Sequence, residues 1–126
     1  MELLDKITVL EEEAAVFGFQ WETTAQIMEQ IQSECAEINE HLNQDAAQVN
    51  QLQLQEEIGD LLHAVFSLSV FCKFSPRDTL EQTLAKFERR LGAVKSITQE
   101  QGLSNLNGFS FDALMLIWEQ AKMRVG

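Results

Sequence analysis

Glu34 and Glu37 stand three residues apart, and Glu57 and Asp60 repeat that spacing about twenty residues later. On a helix, side chains at i and i+3 share one side, with Cβ atoms about 5–6 Å apart. Each pair can therefore present two carboxylates together. Four oxygen donors carried on neighbouring helices have the reach of a hard-metal site, and oxygen-only ligands suit Mg²⁺ or Mn²⁺ rather than zinc or copper. Further along, Lys86 and Arg90 are four apart. They are cations of the kind that hold phosphate oxygens, with surface ion pairing as the competing reading.

The charge map supports a cation at the acidic pairs. Between Lys6 and Lys73 there is no lysine or arginine, whereas the interval carries twelve acidic residues. Carboxylates at the edge of a core, with no basic neighbour in sequence, repel one another and are costly to desolvate. A bound cation remedies both; the competing reading is a solvated acidic face. The formal net charge of −11 argues against nucleic acid held through its backbone, which needs basic patches. A small phosphorylated ligand bridged by metal remains compatible. Eight of the nine basic residues lie at or after Lys73, so the second half of the chain can supply the cations the acidic half lacks.

Helices must position these groups. Ile27, Met28, Ile31, Cys35, Ile38 and Leu42 recur at i, i+3, i+4 and i+7, the stripe of an amphipathic helix. Leu54, Ile58, Leu61, Leu62, Val65 and Leu68 do the same. Glu34 and Glu57 fall at the edges of their stripes. Between them, Asn43 to Asn50 is a polar connection of the length expected between antiparallel helices. Antiparallel packing then brings all four carboxylates to one level. Gln30, Glu34, Glu37 and His41 share one line of their helix, and the apolar run Ala64 to Phe71 predicts burial on several sides or a subunit interface.

The flanking segments complete an all-α reading: one domain, residues 1–126, forming an antiparallel bundle of four to five helices, completed by oligomerisation. Glu2 to Val16 is expected to form a first helix with Leu3, Leu4, Ile7, Leu10, Ala14 and Ala15 inward. Phe17-Gly18-Phe19-Gln20-Trp21 breaks its period. Those aromatics serve either as a hydrophobic plug or as the wall of a nucleobase pocket, since aromatic faces stack on bases. Thr23 or Thr24 caps the second helix. Ser75-Pro76 opens the fourth with a cap followed by proline at its first position, and Leu80, Leu84, Phe87, Leu91 and Val94 form its inward stripe. Gly102 ends that helix, and Ser110 caps a last one bearing Leu114, Ile117, Trp118 and Lys122. Cys35 and Cys72 lie on the stripes, as small core residues do. Asp60 with His63 has the spacing of half a di-iron carboxylate signature, but such a site needs a second unit of this kind; His63 reads as an outer-surface residue. The beginning of the chain lacks a signal-peptide pattern and no apolar stretch reaches membrane-spanning length. The cytoplasm is the expected location, with no membrane partner.

Taken in order, Phe17-Gly18-Phe19-Gln20-Trp21, Glu34-Cys35-Ala36-Glu37, Glu56-Glu57-Ile58-Gly59-Asp60-Leu61-Leu62, Lys86-Phe87-Glu88-Arg89-Arg90 and Trp118-Glu119-Gln120-Ala121-Lys122 resemble the MazG-type nucleotide pyrophosphohydrolases. The resemblance runs from about Phe17 to Lys122. It implies an all-α fold, assembly as a homodimer or homotetramer, and Mg²⁺-dependent hydrolysis of nucleoside triphosphates to monophosphate and pyrophosphate. By the same resemblance Glu34, Glu37, Glu57 and Asp60 are metal ligands and Lys86 and Arg90 contact phosphates. Trp118 and Lys122 help close the nucleotide site; on the pocket-wall reading of the aromatic segment, Trp21 binds substrate there. Glu37 or Glu56 serves as general base.

Two positions depart from the family pattern. Ser33 stands where the first motif usually opens with a glutamate, and Leu84 stands where asparagine is common two residues before the lysine of the fourth motif. The first removes a carboxylate from the neighbourhood of the metal and the second a polar contact to substrate. They motivate a rival expectation, a weakened helical module that binds nucleotide or a protein partner. Neither threatens the fold.

Overall fold

The computed structural model describes residues 1–45 and 49–126. Helix α1 spans Leu3–Phe17, α2 Thr24–Leu42, α3 Gln51–Phe71, α4 Pro76–Glu100 and α5 Phe111–Val125, with no strand among the described residues. The all-α expectation holds. Part of the connection read as Asn43 to Asn50, residues Ala46 to Gln48, lies outside the described residues.

The helix boundaries follow the capping chemistry. Thr23 closes a full capping box: its hydroxyl accepts the Gln26 N–H, and the Gln26 side chain accepts the Thr23 N–H in return. Two donors that a helix start leaves unpaired are thus satisfied. Asn50 caps α3 and Ser110 caps α5, each through a side-chain oxygen that accepts an N–H three residues on. Ser75 accepts the Asp78 N–H ahead of Pro76. Gly18 and Gly102 end α1 and α4 at φ +100° and +77°, left-handed values that glycine adopts without Cβ strain. Thr23→Ala is expected to lower stability by about 1 kcal/mol, measured from the urea midpoint; an unchanged midpoint would exclude the box as a support of α2.

The chain divides into two compact units, Met1–Thr79 and Leu80–Gly126. In the first, α3 packs against α2 and against α1. Among the described residues its buried apolar side chains include Ile27 and Ala64, together with Pro76 at the start of α4. Arg77 on the first turn of α4 pairs with Glu2, the N-cap of α1, and with Asp5 in the first turn of α1. In the second unit Ala93 and Ile97 of α4 pack with Ile117 and Ala121 of α5, and Val94, Leu106 and Phe109 close around them.

Several side chains expected inside are not. Leu3 and Leu10 of α1 are exposed, and so are Phe17 and Phe19, so the aromatic segment is not a plug. Cys35 and Cys72 are exposed free thiols rather than core residues. On α3, Ile58, Leu62 and Val65 are 44%, 55% and 44% exposed. Leu84, Phe87 and Leu91 are also exposed. In that unit the core forms only where α5 faces α4, from Ala93 onward. Periodicity gathers these residues on faces without supplying anything to cover them.

Candidate functional site

The acidic pairs sit where α2 and α3 meet. Each pair is one helical turn long, and antiparallel packing opposes them: His41 in the last turn of α2 touches Asn50 and Glu57 near the start of α3, while Glu37, a turn earlier, senses both Glu57 and Asp60. The carboxyl of Glu37 is pushed above its ordinary range, first by the charge of Glu34, then by desolvation, by its hydrogen bond with Glu34 and by the charges of Glu57 and Asp60. Glu37 is therefore within electrostatic reach of the other three predicted ligands.

They differ in burial. Glu34 is 8% exposed and Glu57 largely covered, whereas Glu37 and Asp60 face solvent. Gln30, one turn before Glu34, donates to Glu34 Oε1 at 2.7 Å. The second oxygen, Oε2, is buried without a hydrogen-bond partner, and the same is true of Glu57 Oε2. A buried carboxylate oxygen without a hydrogen bond is costly; Glu57 Oε2 has the His41 ring 3.3 Å away, and Glu34 Oε2, within the acidic cluster, fits a hard divalent cation. Among the described residues no three His, Cys, Asp or Glu side chains are gathered so that they could hold a metal ion as they stand. The four carboxylates are thus within electrostatic reach but not convergent on one point. Mutual repulsion opposes their convergence.

A cavity of about 500 Å³ opens beside this cluster. Glu34 and Asp60 line it together with Phe19, Trp21, Glu11 and His63. Aromatic faces and carboxylates thus border one space, the arrangement the pocket-wall reading requires. The sequence did not reveal its polar side. Glu11 Oε1 accepts the Ser67 hydroxyl at 2.6 Å and lies 2.7 Å from His63 Nε2. His63 is exposed, as expected of an outer-surface residue, but it is paired. Nothing in local spacing links α1 to positions more than fifty residues away.

The cationic candidates belong to the second unit. Arg90 lies over the Trp118 ring at 5.6 Å from its centroid, and its Nε donates to the Gly126 carbonyl at 2.9 Å. Phe87 packs against the same Trp118 ring at a centroid distance of 6.0 Å. Arg90 and Trp118, predicted from separate motifs, are therefore brought together. Lys122 pairs with Glu119 at 2.9 Å. Lys86, Glu56 and Leu84 are exposed. His41 and Gln30 are the residues the sequence placed on the site's helix line without giving them a part.

Residues 22–94 match the MazG nucleotide pyrophosphohydrolase domain, more than half of the chain. A nucleoside triphosphate pyrophosphohydrolase of Escherichia coli (strain K12) is 30% identical over 113 residues, 90% of this chain and 42% of its own length. A protein of Thermotoga maritima named nucleoside triphosphate pyrophosphohydrolase/pyrophosphatase MazG is 29% identical, again over 90% of this chain and 41% of its own. The uncharacterized protein YabN of Bacillus subtilis is 32% identical over 55% of this chain and 14% of its own length. The chain spans about two fifths of the first two relatives. Among the described residues no single helix is long and apolar enough to cross a membrane.

Proposed function

The chain belongs to the MazG nucleotide pyrophosphohydrolase family, and from that premise we propose that it hydrolyses a nucleoside triphosphate to the monophosphate and pyrophosphate. The observation that carries the reading is Glu34 Oε2, a carboxylate oxygen buried without a hydrogen-bond partner, within one cluster of four carboxylates. Such a cluster suits a phosphate-bridging cation and has no evident use in a purely structural bundle.

In this reading Glu34, Glu37, Glu57 and Asp60 hold Mg²⁺, with Mn²⁺ as a substitute. When bound, the cation polarises the phosphates and lowers the pKa of water. Glu37 or Glu56 takes the proton of the attacking water, whose oxygen bonds to the α-phosphorus as the bond to the bridging oxygen breaks. The pyrophosphate leaves with that oxygen and its electron pair. Lys86 and the Nη groups of Arg90 steady the charge on the leaving group. Trp118 orients the Arg90 fork by stacking, and Lys122 adds positive charge one turn further along α5. Trp21 provides an aromatic face for the base. Clearance of non-standard nucleotides is a role consistent with this chemistry.

The test is incubation of the protein with Mg²⁺ and a panel of nucleoside triphosphates, standard and modified, followed by ion-exchange separation. Monophosphate with pyrophosphate is expected. Diphosphate with orthophosphate would refute attack at the α-phosphorus, and nucleotide binding without any product would favour the weakened module. Ser33 and Leu84 give that second reading its weight. At subsaturating Mg²⁺, Ser33→Glu should raise turnover several-fold, to about tenfold if one added carboxylate improves cation binding by 1.4 kcal/mol; no rise would assign Ser33 no part in the site.

The same chain is proposed to assemble with copies of itself as a dimer or tetramer. Ile58, Leu62 and Val65 present one half-exposed apolar face along α3, and a second copy of that face would remove it from water. Light scattering on a sizing column should give a mass of at least twice 14.3 kDa. Leu62→Glu should shift it toward one chain, and a monomeric wild type would dispose of the proposal.

A further inference from the structure

His41 is a residue for which the hydrolytic reading has no task, yet it is 6% exposed, and each ring nitrogen lies against a polar neighbour. Its Nε2 accepts the backbone N–H of Asn50 at 3.1 Å. A ring nitrogen that accepts carries the lone pair, which places the ring's proton on Nδ1. That Nδ1 lies 3.3 Å from Glu57 Oε2, the buried oxygen without an aligned hydrogen-bond partner.

The other side of the imidazole is anchored in turn. Asn50 is the N-cap of α3, and its Oδ1 accepts the Gln53 N–H at 3.1 Å. The cap fixes the Asn50 backbone, the Asn50 N–H fixes the ring, and the ring meets the carboxylate. This relay joins the last turn of α2 to the beginning of α3 and ends on Glu57.

We propose that His41 is a positioning residue for Glu57: its Nδ1–H takes the inner carboxylate oxygen and leaves the other oxygen for a divalent cation. The inference rests on the assignment of Glu57 as a metal ligand made above. Carboxylates that ligate metals are themselves held by hydrogen bonds, and losing such a partner typically weakens metal affinity about 10–100-fold. A plain structural role, in which His41 only satisfies the Asn50 N–H across the turn, makes a different prediction.

Two substitutions separate the roles. In His41→Asn the amide nitrogen reaches the place of Nδ1 and still donates to Glu57, but nothing accepts from Asn50. In His41→Gln the amide oxygen reaches the place of Nε2 and still accepts from Asn50, but the donor to Glu57 is lost. Mn²⁺ affinity, read by electron paramagnetic resonance of the free ion, should fall about 10–100-fold in His41→Gln and stay near wild type in His41→Asn. The urea midpoint of the metal-free protein should fall further in His41→Asn. On the wild type, ¹⁵N shifts of the imidazole should report the Nδ1–H tautomer, a reading that does not depend on either variant folding. Undiminished Mn²⁺ affinity in His41→Gln, equal losses in both variants, or an Nε2–H tautomer would overturn the role of His41 while leaving the metal site standing. A wild type that binds no Mn²⁺ would remove the metal assignment and this inference with it.

Discussion

Glu57→Gln is expected to lower Mg²⁺-dependent turnover by about 100-fold or more, with no loss of stability in the metal-free protein. Glutamine fills the same volume but cannot bring the charge a hard cation requires. Its amide oxygen can still accept from His41, now 3.3 Å from Glu57 Oε2, so the buried end need not be left unsatisfied. The charge of Glu57 also contributes to pushing up the Glu37 carboxyl, and removing it relieves a repulsion that exists only in the folded chain. Activity and stability should therefore move in opposite directions. A destabilised variant would lose both. Initial rates of pyrophosphate release at saturating Mg²⁺, beside thermal melts in EDTA, make the comparison. Addition of Mg²⁺ should raise the melting temperature of the wild type, as any ligand of the folded state does, and raise that of the variant less. Full turnover in Glu57→Gln would sink the metal-ligand assignment.

The acidic pairs are legible in the amino-acid sequence because helical spacing leaves little freedom. Once the stripes through Ile27 and Leu54 define two helices, Glu34, Glu37, Glu57 and Asp60 are confined to known flanks, and a short connection sets their depth. Helix ends are legible for a similar reason. Thr23, Ser75-Pro76, Gly102 and Ser110 act within three or four residues of themselves, and the expected first helix, Glu2 to Val16, lies within a residue of α1 at each end. Burial is much less legible. Leu3, Leu10, Ile58 and Leu62 lie on apolar stripes, yet a stripe states which residues share a face and not what covers it. The remaining site chemistry depends on contacts distant in sequence or on backbone groups. Glu11 meets His63 and Ser67 across more than fifty residues, and His41 is held by a main-chain N–H that leaves no mark in the sequence. Gln30 falls between these cases: its i, i+4 relation to Glu34 is visible in the spacing, but that its bond occupies one carboxylate oxygen and leaves the other buried is not.

Ile97→Ala should destabilise the second unit by about 2–5 kcal/mol, the largest stability effect expected of a single truncation there. Ile97 is 2% exposed, and its buried neighbours are Ala93, Ile117 and Ala121. Two alanines cannot reorient to fill a void, so relaxation falls to Ile117 and to the partly buried Val94, Leu106 and Phe109. The lost transfer free energy is then joined by a persistent cavity. The consequence reaches function through α5, because Trp118 lies one residue beyond Ile117 and stacks with Arg90 and Phe87. Loosening that helix should weaken the hold on the Arg90 guanidinium. In a Trp21→Phe background, Trp118 fluorescence reports the loss directly, and urea titration gives its size. Ile97→Val, which removes one methylene, should cost about 0.5–1.5 kcal/mol. The graded pair identifies a cavity: if alanine costs no more than valine, the cluster around Ile97 does not hold α5 in place, and the anchoring of Arg90 must be sought in the Gly126 carbonyl contact instead.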